Sequence, residues 1–217
     1  LGCVAYLAAQ IKAGSELFGH LLGWDPLLAG FVIFGVLAVY MSISGEVGGL
    51  LTQAFQGLVM VVAGIVIVIA FFNITGGFSE VLKVTSEAGT VTANGITKEF
   101  SSDMLNAWGS MPRVVAMTWM LIPILGTVGQ PQVITRMYAL KDPRDMPKMG
   151  LYTAISHTMV GLLTVVVANG ALYLVATGKI EPLVSGDRAI YALADYSGIV
   201  DQLFVYAGVL AAAMSSA

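Results

Sequence analysis

The chain alternates between long apolar stretches and short polar ones. Four stretches contain no Asp, Glu, Lys or Arg, namely residues 26–45, 47–79, 114–135 and 149–178. A helix crosses the hydrocarbon core of a membrane with about 20 apolar residues, so each stretch is long enough for one crossing. The clearest is residues 57–72, with the sequence GLVMVVAGIVIVIAFF.

Two further apolar stretches are interrupted by charges. Residues 1–22 contain Lys12 and Glu16, and residues 198–217 contain Asp201. The pattern therefore predicts an all-α, polytopic helical bundle that forms a single transmembrane domain over residues 1–217. Its six spans are expected at about 1–22, 26–44, 50–72, 114–138, 150–176 and 198–217.

The distribution of basic residues predicts the orientation of these spans. Arg136, Lys141, Arg144 and Lys148 crowd the short segment between the fourth and fifth spans. Short loops rich in Lys and Arg stay in the cytoplasm. The loops 73–113 and 177–197 are therefore predicted to be extracytoplasmic, with turn signals at Gly76-Gly77 and Asn94-Gly95. Residues 187–196 are predicted to form a short amphipathic helix at the membrane surface.

Composition supports lipid as the solvent for most of the chain surface. Apolar residues make up 57% of the chain and charged residues 11%, against about 25% charged in soluble domains. The net charge of -3 offers no basic footprint for nucleic acid. The lone Cys3 excludes a disulfide within the chain. The chain begins at Leu1 and ends inside an apolar stretch, which predicts a piece of a longer protein without a signal peptide.

The fourth predicted span contains several residues that interrupt helices. In PILGTVGQP, Pro123 and Pro131 each remove a backbone hydrogen bond, and Gly126 and Gly129 permit non-helical dihedral angles. A broken helix at membrane depth exposes carbonyl and amide groups that can hold an ion or a polar solute. A kinked structural helix explains the same residues, and the segment alone does not separate the two interpretations.

Other polar residues near the spans also allow two interpretations. Ser215 and Ser216 could join helices by hydrogen bonds, or offer hard oxygen ligands to a sodium ion. Interfacial solvation is the simpler explanation for Gln53 and Gln56. The remaining pair, Lys12 and Glu16, lies four residues apart, a spacing at which helical side chains pair.

No Ser–His–Asp group, metal-ligand cluster or nucleotide-binding loop is visible in the sequence, so we expect the protein not to be an enzyme and to need no cofactor.

Three segments resemble the sodium:solute symporter family, whose members carry proline, pantothenate, sugars and monocarboxylates. GTVGQPQVITRMYALKD is similar to the family segment G-x-x-G-Q-P-x-x-x-x-R-x-x-A, and LAAAMSSA resembles its L-A-A-x-M-S-[ST] helix. The third, YMSISGEVGGLLTQAFQGLVM, is similar to a family pattern that Tyr40, Gly45, Thr52 and Gln56 match.

The resemblance implies the five-plus-five inverted-repeat fold, of which this chain would cover the third to eighth core helices. It also implies a sodium site with the carbonyl of Ala212 and the hydroxyls of Ser215 and Ser216. Substrate contacts would come from Thr127 and Gln130, and Arg136 would lie at the cytoplasmic exit. Sodium would be the coupling ion, and the lipid bilayer of the inner (plasma) membrane the setting.

Two departures from the family pattern affect these expectations. Gln53 replaces the aspartate that many members carry after the threonine, which leaves the sodium stoichiometry open. Pro123 and Thr127 stand where proline-transporting members carry aromatic residues, which argues against proline as the solute. The sequence thus predicts sodium-coupled symport of a small polar organic solute, with Gln53 on the substrate pathway. A proton-coupled transporter of the same fold and a transporter-like membrane sensor remain alternatives.

Overall fold

The computed structural model describes residues 2–87, 90–93, 96–99, 111–128, 134, 137–138, 140 and 142–216. The helices are α1 Gly2–Leu22, α2 Pro26–Thr75, α3 Phe78–Glu87, α4 Arg113–Val128, α5 Met146–Ala176, α6 Ala189–Ser197 and α7 Ile199–Ser216. Short 3₁₀ turns at Pro143–Asp145 and Gly186–Arg188 precede α5 and α6. The prediction of a helical protein is confirmed.

The segment predicted as a polar loop, residues 73–113, contains regular structure. Helix α3 is followed by an antiparallel hairpin of β1 Thr90–Ala93 and β2 Ile96–Glu99, in which Ala93 pairs with Ile96. The hairpin flanks the predicted Asn94-Gly95 turn, and those two residues lie outside the described part. The turn predicted at Gly76-Gly77 is confirmed, because Gly76 ends α2 in the left-handed region at φ 76°.

Helix α2 consists of two parts that meet at a break. Asp25 caps its start, accepting a hydrogen bond from the backbone N–H of Leu27 at 2.9 Å. Gly45 has φ 59° and ψ -169°, a region that only glycine occupies without strain. The predicted spans 26–44 and 50–72 lie on either side of Gly45, so the break falls at the boundary between them.

Within the described residues, two helical segments are long and apolar enough to cross a membrane. They are Leu51–Thr75 and Pro143–Ala176. Leu7–Leu22 and Pro26–Tyr40 form a pair bent by 118° that would count as a third span if taken together. Shorter apolar helices run over Arg113–Ile122 and Ile199–Met214. The arrangement of six separate crossings stays a prediction.

The buried core lies where the second part of α2 meets α3, α5, α6 and α7. One cluster contains Ile67, Leu174, Leu193, Ala194 and Val205, and a second contains Phe71, Val81 and Val166. Helices α3 and α6 lie in the two loops predicted to be extracytoplasmic, and both contribute side chains to this core. Residues 187–196 therefore include a short helix, as predicted, but its apolar side chains Tyr191 and Leu193 are buried against protein.

Small residues bring α2 and α7 close together. A Cβ atom added at Gly208 would overlap the Cβ atom of Ala63, and both residues line a cavity that Ala212 also borders. Such close backbone approach is typical of helix contacts in membranes, where packing supplies most of the attraction. We call Ala63, Gly208 and Ala212 the α2–α7 seam.

The described apolar residues of α4 and of the first half of α5 are largely exposed. Val114 is 76% exposed, Leu125 71% and Leu151 61%. An apolar surface of this extent needs lipid or another protein surface to cover it.

Candidate functional site

The fourth predicted span is not interrupted at Pro123 or Gly126. Helix α4 continues through Pro123 and Gly126 to Val128. Thr127 lies near the end of the described part of α4, while Gln130, Pro131 and Arg136 lie outside the described residues. A proline inside a helix removes one backbone hydrogen bond, and α4 tolerates that loss without ending.

The three predicted sodium ligands lie on one face of a helix. Helix α7 runs through Ser216, so Ala212, Ser215 and Ser216 occupy helical positions i, i+3 and i+4. Residues at this spacing are neighbours on the helix surface. The backbone therefore brings the three predicted ligands together on α7, as the resemblance requires. Ala212 is half-buried.

Ala212 borders a cavity of about 400 Å³ between α2, α5 and α7. The lining is almost entirely apolar, and its one described side-chain hydroxyl, Thr164, donates to the carbonyl of Val160 within α5. Such a wall suits hydrocarbon rather than a cation. The two predicted serine ligands lie further along α7 than Ala212, in the last turn of its described part.

Helices α2 and α7 run antiparallel, and this direction determines which part of α7 lies beside Gln56 of α2. Ile67 packs near Val205, and Ala63 contacts Gly208, so the residue numbers fall along one helix as they rise along the other. Continuing past Met60 and Ala212, which share the cavity, places Gln56 one turn further on, at the level of the α7 serines.

Burial changes the interpretation of these glutamines. Gln56 is 7% exposed and Gln53 is half-buried, so interfacial solvation does not explain Gln56. A buried amide needs hydrogen-bonding partners, and the Gln56 backbone lies at the level of the α7 serines. The sequence signal for it was the family pattern, which includes Gln56.

Gln53 and Thr127 belong to different regions of the structure. The contact between α2 and α7 is the most extensive of the described helix pairs, and α4 has no comparable contact with either helix. The helix of Gln53 therefore packs against α7, whereas the described part of the helix of Thr127 makes no comparable contact with either.

The pair predicted within α1 does not form. Lys12 instead donates to Asp187 at 3.2 Å, and the Glu16 carboxylate lies 3.9 Å from the Arg188 guanidinium. The local i,i+4 rule is overridden because the segment before α6 brings complementary charges to the same face of α1.

Comparison with known proteins decides the family. The model of the sodium:solute symporter family matches residues 1–217, the whole chain. The chain belongs to this family. Its members are polytopic membrane transporters rather than enzymes. The family match confirms the resemblance carried by the three segments above.

Individual relatives in the family are distant. The chain is 26% identical over 175 residues to the osmoregulated proline transporter OpuE of Bacillus subtilis, which covers 76% of the chain and 32% of OpuE. It is 26% identical over 164 residues to the high-affinity proline transporter PutP of Bacillus subtilis, covering 72% of the chain and 32% of PutP.

A third relative carries a different solute class. The chain is 24% identical over 188 residues to the monocarboxylic acid transporter of Corynebacterium glutamicum, covering 81% of the chain and 34% of that protein. The chain thus spans about a third of the length of the curated relatives it matches. No solved structure matches it.

Proposed function

We propose that the full-length protein is a secondary active transporter in the plasma (inner) membrane that couples uptake of a small polar organic solute to sodium entry. The whole-chain family match carries this proposal. The shared face of Ala212, Ser215 and Ser216 on α7 supports it, because two hydroxyls and a carbonyl are neutral oxygen ligands. Such ligands suit a monovalent cation that must also dissociate.

The energy for uptake would come from the sodium gradient. One elementary charge moving inward gains about 2.3 kcal/mol per 100 mV of membrane potential, before the concentration gradient is added. In the proposal, sodium binds at the α7 face and favours the state open to the outside. Solute then binds beside Thr127 and Gln130, with Gln53 along its path, and the inverted-repeat bundle rocks to face inward.

The relatives and the wider family together suggest several classes of solute. Two relatives are proline transporters and one is a monocarboxylic acid transporter, at nearly equal identity. Pro123 and Thr127, in place of aromatic residues, favour a solute other than proline.

The test uses the full-length protein in proteoliposomes. Uptake of radiolabelled monocarboxylates, sugars, pantothenate and amino acids, including proline, is measured with and without an inward sodium gradient. We expect sodium-dependent uptake of one class, and a lower sodium affinity in Ser215→Ala and Ser216→Ala.

Ser42→Ala is the matched control, because Ser42 is an exposed serine on α2 whose hydroxyl donates to the carbonyl of Ala38 in its own helix. It should leave sodium affinity unchanged. Uptake that follows a proton gradient and ignores sodium would support the proton-coupled alternative. Absence of uptake for every class would support a membrane sensor.

A further inference from the structure

The charged face of α1 forms a ladder with the segment around α6. Lys12, Glu16 and His20 follow one another at intervals of four residues, and helical residues at that interval share a face. Lys12 contacts Asp187 at 3.2 Å, Glu16 contacts Arg188 at 3.9 Å, and His20 contacts Asp195 at 2.9 Å. The signs are complementary at every step when His20 is protonated.

The three contacts differ in how well water screens them. The side chains of Lys12 and Asp187 are 68% and 62% exposed, whereas those of His20 and Asp195 are 30% and 40% exposed. Exposed ion pairs contribute little because solvent screens them and the side chains lose freedom. The contact of His20 with Asp195 therefore carries most of the attraction.

Asp195 joins three helices through one carboxylate. It accepts hydrogen bonds from Nε2 of His20 on α1 and from the hydroxyl of Tyr206 on α7. Gln202, also on α7, donates to it at 3.2 Å. The His20 ring also stacks on the ring of Tyr191 in α6, with centroids 5.0 Å apart. His20 and Asp195 thus tie α1, α6 and α7 together at one end of the bundle.

We propose that His20 and Asp195 form a pH-sensitive latch that holds α6 and the start of α7 against α1. Protonated His20 attracts the Asp195 carboxylate through opposite charges. When the proton leaves for solvent, neutral imidazole with its hydrogen on Nε2 still donates to Asp195, but the attraction between charges is lost. The latch therefore holds α6 against α1 more strongly at acidic pH than at mildly alkaline pH.

Histidine is the side chain that ordinarily exchanges its proton between pH 5 and 8. A cavity of about 560 Å³ that His20 and Asp195 both line gives the proton a route to solvent. The charged or titratable groups around His20 are Glu16 on its own helix, Tyr206 on α7, and Glu181, Arg188, Tyr191, Asp195 and Tyr196 from the segment around α6. Of these groups, Arg188 faces the Glu16 carboxylate.

The latch is defined by these contacts and does not depend on which solute or ion the protein carries. Its test measures amide hydrogen exchange of residues 189–197 in the purified full-length protein at pH 5.5 and pH 8. Rates are corrected for the chemical exchange rate at each pH. We expect protection of these amides to fall by about fivefold at the higher pH, the scale that separates charged from neutral hydrogen bonds.

Two variants and one control decide the result. His20→Gln keeps a donor but cannot titrate, so its protection should not change with pH. Asp195→Asn removes the other charge and should also abolish the dependence, which provides a second route if His20→Gln fails to fold. His157→Gln, at the other histidine of the chain, should behave as wild type. A wild-type protein without pH dependence, or a His20→Gln variant that retains it, would overturn the latch.

Discussion

Gly208 of α7 lies so close to the methyl group of Ala63 in α2 that no second side-chain atom fits between the two helices at this point. We expect Gly208→Ala to destabilise the protein by about 1–3 kcal/mol, because the added methyl group overlaps the Ala63 methyl group. Thermal unfolding of the full-length protein in detergent measures this change.

Two further variants separate the contact from a general effect of alanine. The double variant Ala63→Gly with Gly208→Ala restores the space and should recover most of the lost stability. Gly57→Ala, on the same helix as Ala63 but facing open space, should be neutral. Failure of the double variant to recover stability would contradict this account of the seam.

Gly170 in α5 supports a second close approach. A Cβ atom there would lie 2.9 Å from the Leu193 side chain and 3.2 Å from the Phe71 ring. Gly170→Val should therefore lower the melting temperature, at a cost of about 1–3 kcal/mol for overpacking. Gly161→Val on the same helix meets nothing within 4 Å and serves as the control. Equal melting temperatures for the two variants would refute the prediction.

The break in α2 depends on Gly45. At φ 59° and ψ -169°, any residue with a Cβ atom is strained by about 1–3 kcal/mol. Gly45→Ala should accordingly reduce the free energy of unfolding, measured by chemical denaturation in detergent. Gly49→Ala, four residues later and without a positive φ, should be close to neutral. A stable Gly45→Ala protein would mean that α2 straightens.

Tyr191 predicts a loss of stability in alkali. Its burial, and then the negative charges of Glu16 and Asp187, raise the pKa of Tyr191 from 10.0 to about 12. A phenol with a raised pKa in the folded state stabilises the protein below pH 10 and loses that contribution as the pH rises toward 12. Melting temperatures across this range should fall more for wild type than for Tyr191→Phe. Parallel curves would contradict the assignment.

Gln53 tests the proposed ion path. Gln53→Asp adds a negative charge at a half-buried position on the helix that packs against α7. Sodium affinity in the uptake assay should rise by about tenfold, equivalent to about 1.4 kcal/mol, because a carboxylate attracts the cation where screening is incomplete. Gln53→Asn adds no charge and should not raise it. An unchanged affinity in both would place Gln53 away from the ion.

Local patterns in the sequence predicted the features that depend on neighbouring residues. Charge-free stretches located the long helices and separated the spans 26–44 and 50–72, and the Gly76-Gly77 turn signal marked the end of α2. The hairpin at residues 90–99 escaped prediction because its eight strand residues are too few and too polar for a clear alternating pattern. The resemblance to the family suggested Ala212, Ser215 and Ser216 as sodium ligands. The structure then showed that these three residues occupy one face of α7.

Contacts between distant parts of the chain could not be predicted in this way. Lys12 and Glu16 satisfy the rule for pairing within a helix, yet Asp187 and Arg188 compete for them from the far end of the sequence. The burial of Gln56 likewise depends on packing between helices, which the local sequence does not specify. Pairing rules describe an isolated helix, whereas in this bundle the partner helix determines which charge each residue meets.

The α2–α7 seam has a mechanical consequence. Interdigitated large side chains resist sliding of one helix along another, because they would overlap sterically unless they first changed rotamer. At Ala63 and Gly208 the two surfaces are nearly smooth, so no bulky side chain has to be displaced at that contact. Shear between packed helices is one of the ways proteins change conformation, and at this contact small residues oppose sliding of α7 along α2 less than large side chains would.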